Sequence, residues 1–369
     1  MELRQPTLED MGIAPPTGVV DHGFWRDRRV LVTGHSGFKG VWLTLWLQSL
    51  GARVSGFSGR PPSDPSLYAL TGAEQGVEGF EGDVRDAESV ARAVAASRPE
   101  VVLHMAAQAL VRRSFEEPRE TYEINVMGTV NVLDAVRRHG DDVGAVVVVT
   151  SDKCYENQEW EWGYREHEPM GGHDPYSNSK GCAELVTSAY RSSFFSNPDG
   201  PRVASARAGN VIGGGDWGAD RLVPDIMRAA LAGEVVRVRN PNSIRPWQHV
   251  LNPLSGYLLL AQALCADAEH ATAWNFGPPE QDARPVGWLL ERLAELWPGE
   301  LQWSFDGGEH PHEARYLKLD SSRARARLGW RAPVALEQAL QSIVEWYGEL
   351  RAGADMRAVT LAQIERLAA

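Results

Sequence analysis

The stretch RRVLVTG, followed by HSGFKG and then VWLTLWLQSLG closing on Gly51, constrains this chain more than any other. A short apolar strand runs into a glycine turn and directly out into an apolar helix. Gly34, Gly37 and Gly40 allow the tight turn and let an anion approach the backbone at the helix N-terminus, where free N–H groups and the helix dipole favour negative charge. The spacing, G-x-x-G-x-x-G, differs from the G-x-G-x-x-G of many dinucleotide enzymes. Lys39 does not turn it into the phosphate loop of nucleotide hydrolases, because the G-K-[ST] order is absent.

The same alternation continues. ARVSGFS and GFEGD read as second and third strands, Asp86 to Ala96 as a helix, and PEVVLHMAA as a fourth strand. Thr121 to His139 reads as one long amphipathic helix ending at Gly140, and GAVVVVTS as a fifth strand. That strand is apolar on both faces, as parallel strands between helix layers are. The pattern predicts an α/β fold with a Rossmann-type doubly wound parallel sheet. Regular alternation weakens after about Asn210, where GGGDWGAD and short strand-like segments such as VVRVRNP follow. The expected division is a lead-in at 1–24, a dinucleotide domain at 25–210 and a smaller mixed α/β substrate lobe at 211–350. Segments near 245–275 would return to the first domain, and 351–369 reads as a surface helix.

A length of 369 residues allows a large core. The net charge of -12 argues against nucleic acid or an anionic membrane as partner, since both need a basic face. The polar, acidic N-terminus is no signal peptide, and no 18-residue apolar run suggests a membrane span. Three cysteines without C-x-x-C spacing fit a reducing, cytoplasmic setting and no structural zinc. His310 and His312 lack a third ligand at useful spacing and read as a loop, so no metal is expected.

Two clusters carry chemistry. Ser151, Asp152 and Lys153 follow directly on the valine strand, where a simple surface ion pair would be out of place. Tyr176 and Lys180 form Y-x-x-x-K, which on a helix puts phenol and ammonium on one face. A cation there favours the phenolate and brings the tyrosine towards acting as a base near neutral pH. Asp83, after the third strand, suits either an adenine amino group or a helix N-cap. Ala106, Ala107 and Gln108, after the fourth, let a cofactor pass close by.

Taken together, the glycine turn, the strand-end serine and Y-x-x-x-K resemble the extended short-chain dehydrogenase/reductase family. More narrowly, GHSGFKGVWLTLWL, TSDKCYENQEWEWGYREHEPMGGHDPYSNSKGCAELV, RAGNVIGGGDW and IRPWQHVLNPLSGYL resemble its CDP-glucose 4,6-dehydratase branch. The resemblance implies NAD, a CDP-glucose or related NDP-sugar substrate, a homodimer and conversion to a 4-keto-6-deoxy sugar. It assigns Tyr176 to the sugar 4-hydroxyl proton, Lys180 to the nicotinamide ribose, Ser151 to the 4-oxygen and Asp152 to the departing 6-hydroxyl. Lys153 stands where related dehydratases carry a glutamate as the C5 base. It can play that part only if its pKa falls by about two to three units from ~10.4; otherwise it stabilises the enolate.

The implied cofactor set is Gly34, Ser36, Gly37, Phe38, Lys39, Gly40, Ser58, Arg60, Asp83, Val84, Ala106, Ala107, Gln108 and Asn125, with Tyr176 and Lys180. The second strand ends without the acid that many NAD enzymes use for the ribose, leaving Ser58 and Arg60. For the sugar nucleotide the expected residues are Arg112, Asn210, Arg239, Arg245 and Glu313, arginine being suited to diphosphate by its planar fork. Trp160, Trp162, Trp217 and Trp247 read as packing residues. Asn252 departs from the acid usual in the family. An NDP-sugar 4-epimerase shares Tyr176 and Lys180 but has no need of an acid–base pair at the strand end. A sugar-nucleotide-binding protein would need none of these groups intact.

Overall fold

In the computed structural model, which describes residues 18–197, 199–308 and 316–368, the chain builds one seven-stranded sheet. Its strands are β1 (Arg29–Thr33), β2 (Arg53–Ser58), β3 (Val77–Glu81), β4 (Val101–His104), β5 (Ala145–Val149), β6 (Arg202–Arg207) and, much later, Ala273–Asn275. The order is Ala273–Asn275, β6, β5, β4, β1, β2, β3, and every neighbouring pair is parallel. The chain reverses its direction of growth between β1 and β4, opening a crevice at the C-terminal strand ends, where such sheets bind ligands.

The apolar runs serve two cores at once. In β1, Val30 and Val32 join Trp42 and Leu45 on one face, while Leu31 joins Val94 and Val132 on the other. In β5, Val147 and Val149 face the first core, and Val146 and Val148 the second. Successive strand side chains point to opposite faces, so a strand buried on both sides needs an unbroken apolar run. At the sheet's open end, His104 Nδ1 lies 2.7 Å from the Thr33 hydroxyl and Nε2 3.3 Å from that of Thr129. The Thr129 hydroxyl donates to the Asn125 carbonyl, so it accepts from Nε2–H, while Thr33 Oγ1 accepts from Met105 N and Ala106 N and keeps its proton for Nδ1, leaving the buried imidazole neutral.

Two elements differ from the sequence pattern. The helix expected over Thr121–His139 is a chain of Pro118–Tyr122, a π-turn at Glu123–Met127 and Gly128–His139. The wider turn sits at Asn125, whose buried amide bridges to Gln108 and Ser179. Strand β6 escaped assignment because Ser205 and Arg207 interrupt its apolar pattern, although both are buried. The 351–369 segment forms the helix Met356–Ala368, seated on the body of the fold. Met356–Ala368 packs on the glycine-turn helix Phe38–Ser49, and Arg357 donates to the Gly72 carbonyl and to Gln48.

Parts of 211–350 lie against the central sheet. Leu251–Ala266 packs on β5 and β6, and Leu336–Ala352 joins the same core as β1. What is distinct there is three small two-stranded pairings: Val211–Ile212 with Gln248–His249, Ile244–Pro246 with Ala283–Pro285, and Val236–Val238 with Trp303–Phe305. Among the described residues, no helix is long and apolar enough to cross a membrane.

Candidate active site

The glycine turn closes too tightly for side chains at two of its three glycines. Gly34 has φ +75°, and a Cβ there would lie 2.7 Å from the Ala106 nitrogen; at Gly40 it would lie 2.1 Å from the Gly34 carbonyl. At Gly37 an added Cβ would meet nothing nearer than 3.4 Å, and no side chain caps the helix that starts at Phe38. The helix N-terminus is thus open to an approaching anion, which fits the pyrophosphate of a dinucleotide.

Around it, Ser36 donates to the Gly59 carbonyl at 3.3 Å, and Ser58 lies 3.1 Å from His35 Nδ1. Arg60 is exposed. Asp83 is not a helix cap, because Asp86 caps Ala87–Ser97; its carboxylate is held by Arg85 at 2.6 Å, which keeps it below the usual acid range. Val84 packs on Gly128, and Phe38 lies under Gly213. Ala106 approaches Gly34, with Ala107 beside it. Gln108 and Asn125 turn their side chains to protein partners instead. Asn125 accepts from Gln108 N and donates to the Ser179 hydroxyl, and Gln108 bonds Thr121 and both polar backbone groups of Leu110.

The strand-end cluster and the Y-x-x-x-K helix meet. Helix Pro175–Phe194 is capped by Asp174, which accepts from Ser177 N, and it carries Tyr176 and Lys180 against the 152–154 turn. The Ser151 hydroxyl donates to Asp152 Oδ1 at 2.9 Å and, from beside the Tyr176 phenol, favours its ionised form. Asp152 is 2% exposed, and Asn210 Nδ2 donates to its Oδ2 at 3.4 Å. Asn210 does so from a left-handed backbone, φ +49°, a conformation asparagine tolerates. The loop passes so close that a Cβ at Gly209 would lie 1.9 Å from Asp152 Oδ2. Lys153 follows, half-buried.

Burial dominates the electrostatics. It pushes the Tyr176 phenol up to about 12, against the bond from Ser151. It pulls Lys180 down to about 8, against the attraction of Glu184. The depressed phenol expected from Y-x-x-x-K is therefore not what the protein's own groups produce. Lys39 reaches from the glycine turn to within 3.5 Å of Tyr257 Oη. Burial and the charges of Lys180 and Arg221 lower it to about 7.

Of the substrate candidates, Arg112 and Arg239 converge on Asp220, at 3.2 and 4.0 Å. Arg245 lies on Ile244–Pro246, continuous with the segment that pairs beside Asn210 and Val211. Glu313, like His310 and His312, lies outside the described residues. Trp247 is core, Trp160 stacks on Tyr164, Trp217 meets Tyr347, and Trp162 is exposed. Asn252 is buried and both accepts from and donates to the Val334 backbone, which an ionised acid could not do.

The sequence reading missed Arg221, whose charge acts on both Tyr176 and Lys39. A signal existed. An arginine just before the helix Leu222–Ala232 opposes the helix dipole unless an anion offsets it.

This fold and this Ser-Tyr-Lys site define an extended short-chain dehydrogenase/reductase. Comparison narrows it. The family profile for GDP-mannose 4,6 dehydratase matches residues 31–275. A CDP-glucose 4,6-dehydratase of Salmonella typhimurium is 53% identical over 344 residues, covering 92% of this chain and 95% of that one. A dTDP-glucose 4,6-dehydratase of Streptomyces griseus is 30% identical, covering 73% of this chain and 77% of that one. The solved UDP-glucose 4-epimerase of Thermus thermophilus, in complex with NAD, superimposes with a TM-score of 0.73 at 25% identity, covering 87% of this chain and 99% of that one. The chain belongs to the nucleotide-sugar 4,6-dehydratase family.

Proposed function

We propose that the protein is an NAD-dependent hydro-lyase that converts CDP-glucose to CDP-4-keto-6-deoxyglucose. The observation that carries this reading is the identity to a CDP-glucose 4,6-dehydratase, 53% over 92% of the chain, far above that to the dTDP-glucose enzymes. Bound over Gly34–Gly40, NAD would supply the hydride acceptor and donor that the reaction needs, with its pyrophosphate held by that turn and the uncapped start of helix Phe38–Ser49.

Tyr176 takes the 4-hydroxyl proton, and Ser151, next to that phenol at the strand end, holds the 4-oxygen. Lys180 keeps positive charge near the phenol, which the protein alone leaves at about 12. A 4-keto group makes the C5 proton acidic, and Lys153 serves C5 either as a neutral base or as an ammonium facing the enolate. Asp152, buried against Ser151 and Asn210, protonates the departing 6-hydroxyl. Arg221, Arg112, Arg239 and Arg245 form the basic side for the diphosphate.

The finer reading includes a cytoplasmic location, suited to unpaired cysteines, and a homodimer. The dimer would form through the two helical segments 118–139 and 175–194, where Met127 and Leu185 are 50% and 61% exposed. Leu133, on the first of these segments, is fully buried and belongs to the core instead of that surface. A monomer mass by light scattering at micromolar concentration would reject the dimer.

Reaction with CDP-glucose in deuterated water tests the chemistry. The reading requires one deuterium at C5 of a 6-deoxy product. A C4 epimer without deuterium would make the protein an epimerase.

A further inference from the structure

Directly behind the reacting groups lies a buried ionic pair that none of these steps uses. Glu184 sits one turn after Lys180 on the same helix, and Arg207 ends β6; their side chains are 2.7 Å apart and each is 4% exposed. Glu184 has no idle oxygen. The Thr150 hydroxyl donates to Oε1 at 2.5 Å, and the Ser205 hydroxyl donates to Oε2 at 2.6 Å. On its other side Arg207 donates to the Tyr155 hydroxyl at 2.6 Å and the Glu166 carbonyl at 3.0 Å, and Tyr155 donates in turn to Asn275.

The pair therefore grips the chain at Thr150 and at Tyr155, the two residues that bracket Ser151, Asp152, Lys153 and Cys154. Lys180 itself reaches the Val149 carbonyl at 3.5 Å, one residue before the first grip. A buried ion pair is a weak source of stability, because desolvation offsets most of its attraction. Apolar side chains of similar size would fill this space at least as well. They would not hold both ends of the segment by directed bonds, nor set a negative charge beneath Lys180.

We propose that Glu184 and Arg207 are positioning residues for the dehydratase reaction, clamping the Thr150–Tyr155 segment from both ends and setting a carboxylate one helical turn from Lys180. The charges support this. Burial pushes Glu184 up, but Arg207, Ser205 and Thr150 return it to below the usual carboxylate range. Burial works against the charge of Arg207 as well, and Glu184 more than restores it. Lys180 loses protonation to burial and regains part of it from Glu184. The other titratable groups felt there are Cys154, Lys39 and His104 around Lys180 and Arg191 near Glu184.

The inference rests on Lys180 being the cation beside the reacting phenol, so the parent enzyme and the variants answer different questions. The experiment compares the holoenzyme with Thr150→Val, Glu184→Gln and the double variant Glu184→Gln/Arg207→Met, measuring kcat, KM, the pH profile of kcat and the thermal midpoint of each. Thr150→Val removes one grip and leaves the ion pair; kcat should fall about three- to tenfold with KM within about twofold, as for a small misplacement of reacting groups. Glu184→Gln should move the alkaline limb of the kcat profile to lower pH by about one unit, because Lys180 then surrenders its proton sooner. If an unpaired Arg207 prevents folding, the uncharged double variant must show the same shift. Profiles that superimpose on the parent's, with rates lost only in proportion to folded protein, would overturn the clamp. A parent without activity on CDP-glucose would instead overturn the proposed function.

Discussion

Replacing Gly209 with alanine should disable one step of the reaction while leaving the protein folded. The added Cβ would stand 1.9 Å from Asp152 Oδ2, 2.0 Å from Cγ and 2.3 Å from Oδ1. Real Cβ contacts begin near 3.0 Å, so the carboxylate must retreat by at least 3.0 − 1.9 = 1.1 Å. Swinging away breaks its bonds to Ser151 and Asn210. The backbone itself accepts alanine, since Gly209 is not among the positive-φ residues.

The stability effect is therefore moderate. A more restricted unfolded chain gains about 0.4–1 kcal/mol, and each hydrogen bond lost by the buried carboxylate costs about 1.5–3 kcal/mol. The midpoint should fall by less than about 10 °C. Catalysis has no such compensation: a misplacement near 1 Å costs on the order of 10²-fold in kcat, or about 2.7 kcal/mol of barrier. Because C4 oxidation does not need Asp152, mixing enzyme, NAD and CDP-glucose should build up absorbance at 340 nm that the parent shows only transiently. A variant with parental kcat, or one that loses activity without accumulating reduced cofactor, would refute the placement of Asp152 at the elimination step.

Lys153→Met should retain part of the hydride transfer and suppress deuterium uptake at C5, whereas Tyr176→Phe should stop the reaction before any 340 nm signal; parental deuterium uptake in the first would remove Lys153 from the mechanism. Acid should destabilise the fold before its carboxylates protonate. Burial holds His104 and His249 at about 3, below an unfolded value of ~6.5, so their contribution is full above about pH 6.5 and is lost as pH falls towards 3. Denaturant melts should lose up to about 2–3 kcal/mol per pH unit below pH 6, and a flat profile from pH 7 to 5 would contradict this. With no acid at the end of β2, and Ser58 already facing His35, NAD should bind loosely and dialysed protein should regain activity on adding it. The missing charged hydrogen bond is worth about 1.5–3 kcal/mol, and full occupancy after dialysis with strong rejection of NADP would show that other contacts replace it.

The parts of the fold that were legible in the sequence are those where each residue answers to a local rule. The valines of β5 face two cores in strict alternation, and Gly34 and Gly40 occupy positions that exclude any Cβ. What escaped depended on partners distant in the chain. Strand β6 carries Ser205 and Arg207, polar residues that are buried only because Glu184 and Tyr155 meet them. The long helix broke its expected register at Asn125 because that amide is committed to Gln108 and Ser179. The C-terminal helix read as a surface element because its burial comes from the Phe38–Ser49 helix, more than three hundred residues earlier. In the site, Ser151, Asp152, Tyr176 and Lys180 were legible as residue types at fixed spacing, but the phenol's pKa was not. Spacing reports the ammonium, while the burial that raises the phenol is a property of the whole cleft.

The central claim is that this cleft dehydrates CDP-glucose in preference to other glucose nucleotides. Incubating the NAD-supplemented protein with CDP-, dTDP-, GDP- and UDP-glucose in parallel, then adding alkali, reads the 4-keto-6-deoxy chromophore directly. The account predicts the chromophore with CDP-glucose at a rate well above the other three. Equal rates on all four, a faster rate with dTDP-glucose, or no chromophore from any would contradict it.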